Sequence, residues 1–176
     1  MVSIPWRTGV NMREFAYYGQ GGLPNFFAPA PLQRLQAEAL RQIGVKLVRF
    51  FASQRSTSAQ DSANRVRAAC DVLAANGMQA IICLDDALGV AGWCVPGYDQ
   101  LHNQVNGQYH KSFFTQDLWR TQYLPHISAI VAAVREHPGA LLFELGNEYA
   151  FHPRVPEPNR ADADAFIRFT RVVSET

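Results

Sequence analysis

Residues 141–150 read LLFELGNEYA. An apolar run of the kind that buries as a strand breaks at Gly146, and Asn147, Glu148 and Tyr149 follow at once. A carboxylic acid can pass a proton in a transition state, and an amide beside it can hold a hydroxyl group in place. Together they suit chemistry on a sugar. They also suit an ordinary polar strand end. Three earlier apolar runs finish in the same way: Asn11, Arg13 and Glu14 follow the first, Arg49 ends the second, and Asp85 and Asp86 end the third. A single wet strand end means little. Four on one rim are worth more, because ligands of parallel α/β folds sit at the C-terminal ends of their strands.

The segments after these strand ends are long. Residues 87–114 carry Trp93, Tyr98, Tyr109, Phe113 and Phe114. Loops of this length are usually functional or disordered, and the aromatic content argues for order. The connections at the other ends of the strands are minimal: Gly-Val, Gly-Met and His-Pro-Gly. One face is therefore elaborated and the other plain. Aromatics also crowd the first long loop, at Phe15, Tyr17, Tyr18, Phe26 and Phe27. Flat rings with polar edges suit the faces of pyranose sugars as well as ordinary loop packing, and Trp93 is the first candidate for stacking.

Other chemistries fit poorly. YYGQGGLP is glycine-rich but is not followed directly by a helix, so a phosphate-binding turn is weak. His102 and His110 lack the spacing and strand support of a metal site, and no serine sits in a nucleophile elbow. His126, His137 and His152 read as surface or helix-end residues. Cys70 and Cys83 read as buried small hydrophobes, and Cys94 as a loop thiol. The chain has 176 residues, 48% hydrophobic and 18% charged, with a net charge of +1. That supports a globular core and gives no electrostatic footprint for nucleic acid or an anionic membrane. No apolar run is long enough to span a bilayer. The N-terminus, MVSIPWRTGVNMREF, does not read as a signal peptide, which leaves a cytoplasmic location or a secreted form with its signal removed.

The elements that must position these residues alternate. Strands are expected at 8–12, 45–51, 78–86 and 140–146, and helices at 31–44, 58–77, 115–139 and 160–175. The first helix carries Leu32, Leu35, Ala39 and Ile43 on one face, the second Val66, Ala69, Cys70 and Leu73, and the last Phe166, Phe169, Val172 and Val173. Thr115 or Asp117 could cap the third, and Pro125 should kink it or split off its first turns. The continuous apolar strands are those expected when both sheet faces are covered. The order βαβαβαβα implies a parallel sheet in one unit over 1–176. It is either an open doubly wound sheet or half of a (β/α)8 barrel, since a full barrel needs about 250 residues.

GALLFELGNEY resembles the fourth strand of glycoside hydrolase clan A, the (β/α)8 retaining glycosidases, and most of all the cellulase and β-mannanase type of family 5. VRFF resembles the clan's second-strand motif, and GVNMREF its first strand. The resemblance implies that Glu148 is the general acid/base, that Asn147 donates to the sugar's 2-hydroxyl, and that Arg49 supports the nucleophile. Trp93, Tyr149, Asp86, Asn11 and Glu14 are the further candidates for substrate binding. It implies a β-linked, β-1,4 substrate and no metal or organic cofactor.

Retaining hydrolysis needs a second carboxylate about 5 Å from the acid. In the clan it comes from the seventh strand, which lies beyond this sequence. Glu14, Asp85, Asp86 and Glu144 are the carboxylates within reach, and Glu144 reads as a buried structural acid. The resemblance therefore implies the N-terminal half of a glycosidase, with open edges that favour self-association or pairing with a C-terminal half barrel. Two other readings are a noncatalytic carbohydrate-binding half barrel and an open flavodoxin-like α/β interaction domain.

Overall fold

The computed structural model describes residues 8–12, 15–18, 26–27, 30–52, 58–84, 114–121, 123–146 and 160–175. Eleven elements follow one another there: β1 (Gly9–Asn11), β2 (Tyr17–Tyr18), β3 (Phe26–Phe27), α1 (Ala30–Gln42), β4 (Leu47–Phe51), α2 (Ala59–Ala75), β5 (Gln79–Cys83), a 3₁₀ turn (Leu118–Arg120), α3 (Leu124–Val134), β6 (Ala140–Glu144) and α4 (Arg160–Ser174). The pair β2–β3 is a short antiparallel ribbon inside what the sequence presents as loop.

The local signals act as expected at α2. The Ser58 hydroxyl accepts from the Asp61 amide at 3.0 Å and donates to its carboxylate at 2.7 Å. That closes the first turn with a side-chain cap and puts an acid at the positive helix end. Gly77, at φ +69°, ends the helix in the left-handed region, and the Met78 amide reaches back to the Leu73 carbonyl at 3.0 Å. The third helix divides as its proline requires. The 3₁₀ turn comes first, and Pro125 sits in the first turn of α3, where its missing N–H costs nothing. Asp117 does not serve as a side-chain cap. It stands at φ +53° and spends its carboxylate on Arg120 and Arg168.

Four strands form one parallel sheet in the order β1-β4-β5-β6, which is chain order. A doubly wound sheet reverses its strand order at a switch point. This sheet has no reversal among its described strands, so the open doubly wound and flavodoxin-like alternatives fail. Ala80 pairs with Ala140 and Ile81 with Leu142, so Leu141 is an extra residue that bends the sheet between β5 and β6.

Among the described residues the sheet is covered on one face, against the expectation of two. Val48, Phe50, Ala80 and Ile82 point to the helices and are fully buried. Leu47, Arg49, Phe51 and Ile81 alternate to the other face and keep partial exposure, while Leu142 is exposed. The strands are apolar on both sides because both sides are built for burial, but the described elements supply a cover for one. Helix α2 buries the residues expected of it, Val66, Ala69, Cys70 and Leu73. Helix α1 does not. It turns Gln33 and Ala37 inward, while Leu35 and Ile43 face solvent. The Gln33 amide is satisfied there by donating to the Phe15 carbonyl at 2.9 Å.

The densest packing lies under α4. Phe169 meets Phe114 at 5.0 Å, Trp119 at 5.5 Å and Tyr123 at 5.5 Å between ring centroids, mostly edge to face. Phe114 is thus core rather than loop. His126 is also core, with only 3% of its surface exposed, and the surface reading fails. It shares a face of α3 with Ile127 and Ile130, where the apolar neighbours decide its fate.

Candidate active site

Arg49 is the third residue of β4, in register with Asn11 on one side and Ile81 on the other. Strand alternation sends it to the open sheet face, opposite Val48 and Phe50. Its Nε and Nη2 both donate to one oxygen of Glu144, at 2.8 and 2.7 Å. Nη1 reaches Asn11 Oδ1 at 3.4 Å, and the guanidinium carbon lies 5.3 Å from the centre of the Phe51 ring. Three strands, β1, β4 and β6, thus contribute one polar cluster, with β5 passing beneath it.

Glu144 corrects the sequence reading. It is the last residue of β6 and is a third exposed, at 34%, so it is no buried structural acid. It is the carboxylate that holds Arg49. The signal for it was present in the alternation of LFEL, where Leu142 and Glu144 share a face. Two inward charges of opposite sign on strands one apart are what a parallel sheet can pair.

Backbone contacts hold the strand ends at one level. The Met12 amide donates to the Arg49 carbonyl at 2.8 Å, Ala52 to Cys83 at 2.8 Å, and Leu84 to Glu144 at 2.9 Å. The phenol of Tyr123, itself fully buried, donates to the Leu145 carbonyl. The backbone is therefore anchored just before Asn147 and Glu148. Arg49 and Asn11 are the candidates brought together; Glu14, Asp86, Trp93, Asn147, Glu148 and Tyr149 lie outside the described residues, as do His102, His110, Cys94 and His152.

Other titratable groups do structural work. The Asp117 carboxyl would be raised by burial, but hydrogen bonds and charge from Arg168, then Arg120, outweigh this and hold it below its ordinary value. Arg168 grips one Asp117 oxygen with Nε at 3.1 Å and Nη2 at 2.9 Å, tying α4 to the turn before α3. Burial, with a smaller push from Asp71, raises the Cys70 thiol to about 12, so it is inert. Burial lowers His126 to about 4, so its ring is neutral at pH 7. His137 ends the α3 segment and bonds Asp71 of α2 at 2.8 Å. Among the described residues no group of three His, Cys, Asp or Glu could hold a metal ion, and no helix is long and apolar enough to cross a membrane.

No protein-family model matches the chain, and no curated protein matches it by sequence. Solved structures do match by fold. The endo-1,4-β-mannanase of Rhizomucor miehei superposes with a TM-score of 0.68 at 12% identity, over 97% of this chain and 53% of that one. The hyperthermostable endo-1,4-β-D-mannanase of Thermotoga petrophila RKU-1 gives 0.65 at 15% identity, over 96% and 51%. An endo-β-1,4-mannanase structure from Thermotoga petrophila gives 0.67 at 15%, over 96% and 39%. The chain spans about half the length of these enzymes, or less. At such identities the likeness is one of fold, and it agrees with the sheet order and the single covered face: the described residues form a (β/α)4 unit with the fold of half a TIM-type (β/α)8 barrel.

Proposed function

We propose that this chain is the acid/base-bearing half of a retaining glycoside hydrolase for β-1,4-linked polysaccharide. Glu148 protonates the leaving oxygen and Asn147 donates to the 2-hydroxyl. Arg49 lies on the floor of the site, held by Glu144 and Asn11. The observation that carries the reading is the Arg49–Glu144–Asn11 cluster on the open face of a half-barrel sheet, three residues before Asn147. That face and that rim are where a barrel of this kind does chemistry. The mannanases with the same half fold support a polysaccharide substrate. Trp93, Tyr149, Asp86 and Glu14 complete the substrate contacts in this reading.

Glu144 is not the missing nucleophile. Retention requires a carboxylate free to attack about 5 Å from the acid, and the charge of Glu144 is committed to Arg49. This favours a second reading for the chain alone, in which it binds saccharide without turning it over. Hydrolysis of β-1,4-mannan, β-1,4-glucan and aryl β-glycosides, with Glu148→Gln beside the wild type, tests the proposal. Any turnover should fall at least 100-fold in the variant, while saccharide binding persists. Turnover indifferent to Glu148→Gln would remove Glu148 from the acid/base role.

A further inference from the structure

The end of β6 must deliver Asn147 and Glu148 in a set direction. Among the described residues, the last backbone bond from β5 onto this strand runs from the Leu84 amide to the Glu144 carbonyl, at 2.9 Å. The strand itself ends at Glu144. Leu145 and Gly146 then lead to Asn147. Glycine has no Cβ and turns more freely than any other residue. A strand end held at Glu144 alone would therefore aim the next residues loosely.

Tyr123, the residue before α3, adds a hold one position further on: its phenol donates to the Leu145 carbonyl. Packing does not ask for that hydroxyl. The side chain is fully buried and its ring meets Phe169 at 5.5 Å, a place that phenylalanine would fill as well. A hydroxyl buried among aromatic rings is costly unless it is bonded, and here its acceptor is the strand end. The donor is itself firmly placed. The Tyr123 amide donates to the Trp119 carbonyl at 3.1 Å, and the Tyr123 carbonyl accepts from the Ile127 amide at 3.0 Å. Trp119 is fully buried against Phe169. Asp117 opens this turn at φ +53°, a region few non-glycine residues adopt, and Arg168 and Arg120 pin it there. Ring, backbone and ion pair all fix where the phenol stands.

We propose that Tyr123 is a positioning residue for the site: its hydroxyl fixes the Leu145 carbonyl and so sets the direction in which the chain enters Asn147 and Glu148. The role rests on the glycosidase reading of that pair. With Leu145 held, one glycine separates the anchor from Asn147. Without the hydroxyl, the free stretch grows by a residue at the point where aim matters most, since small misplacements at a site are felt strongly. Tyr123 is buried, so it acts through the backbone and reaches no saccharide itself.

A double-mutant cycle tests this, read by calorimetric titration of β-1,4-mannohexaose into the folded chain. Tyr123→Phe removes the hydroxyl and keeps the ring on Phe169, so far-UV circular dichroism should stay unchanged. Binding should weaken about fivefold or more in Tyr123→Phe. The same change made in Asn147→Ala should weaken it less than about twofold, because residues that act through one another are not additive. Equal losses in both backgrounds would mark a merely structural residue and overturn the proposal, as would unchanged binding in Tyr123→Phe. Native-state amide exchange gives a second readout that needs no sugar. In Tyr123→Phe the Gly146 and Asn147 amides should exchange about tenfold faster or more, relative to the Ile82 amide inside β5. An unchanged ratio would overturn the anchor, and this ratio decides if Asn147→Ala binds too weakly to titrate. A wild-type chain that binds no saccharide would overturn the glycosidase reading, and the positioning role with it.

Discussion

Arg49 shows how little of a side chain's role is fixed by its own charge. Strand alternation put it on the open face, and the identity of its partner decided what it could do. The pair it forms with Glu144 is 21% and 34% exposed, so it contributes about 0.2–1 kcal/mol to stability at most. Arg49→Ala should therefore shift the urea midpoint little, yet weaken saccharide binding at least tenfold; Glu144→Ala should do the same by releasing the guanidinium. A large loss of stability with unchanged binding would make the cluster a fold determinant only. His126 makes the opposite case. Its folded pKa of about 4 lies below its ordinary 6.5, so the unfolded chain binds the extra proton between those values. The stability is intact above about pH 6.5 and is lost as pH falls toward 4. At about 1.4 kcal/mol per pH unit the loss approaches roughly 3 kcal/mol. Denaturant titrations across this range should show the slope, and His126→Leu should flatten it; an equal slope in the variant would assign it to other groups.

Between elements, the tightest junction is where α2 meets the turn before β6. Arg67 donates to the Ala133 carbonyl at 3.1 Å, and His137 bridges Asp71 and the Gly139 amide. A Cβ on Gly139 would stand 2.3 Å from the Cys70 carbonyl oxygen, a backbone atom that cannot swing aside. Gly139→Ala should cost about 1–3 kcal/mol by forcing α2 off the sheet. A thermal midpoint within a degree of the wild type would show that the junction gives more easily than its geometry implies. Element scale is also where sequence and structure parted. The strands, their order, α2 and the break at Pro125 were legible because each is set by local chemistry: apolar runs, a serine cap, a glycine stop, a proline. The ribbon β2–β3 was not, since two-residue strands carry no periodicity. The core face of α1 was misassigned for a different reason. Periodicity reports that a stripe is apolar, not what will cover it, and the Leu35–Ile43 stripe has no cover within the described residues. Glu144 was misjudged because its partner lies 95 positions away in sequence.

At the scale of the molecule, the sheet order, its bend at Leu141 and its single covered face agree with half of a barrel, as do the mannanase structures that superpose on it. Half a barrel brings a rim, a floor and the strand that runs toward Glu148, and leaves the opposing wall to whatever completes it. A saccharide site on that rim should exist whether or not the second carboxylate is present. The most direct measurement is therefore calorimetric titration of β-1,4-mannohexaose into the folded chain, with Arg49→Ala titrated beside it. The account predicts saturable binding that weakens at least tenfold in the variant. No binding to the folded wild type, or binding that Arg49→Ala leaves unchanged, would contradict it.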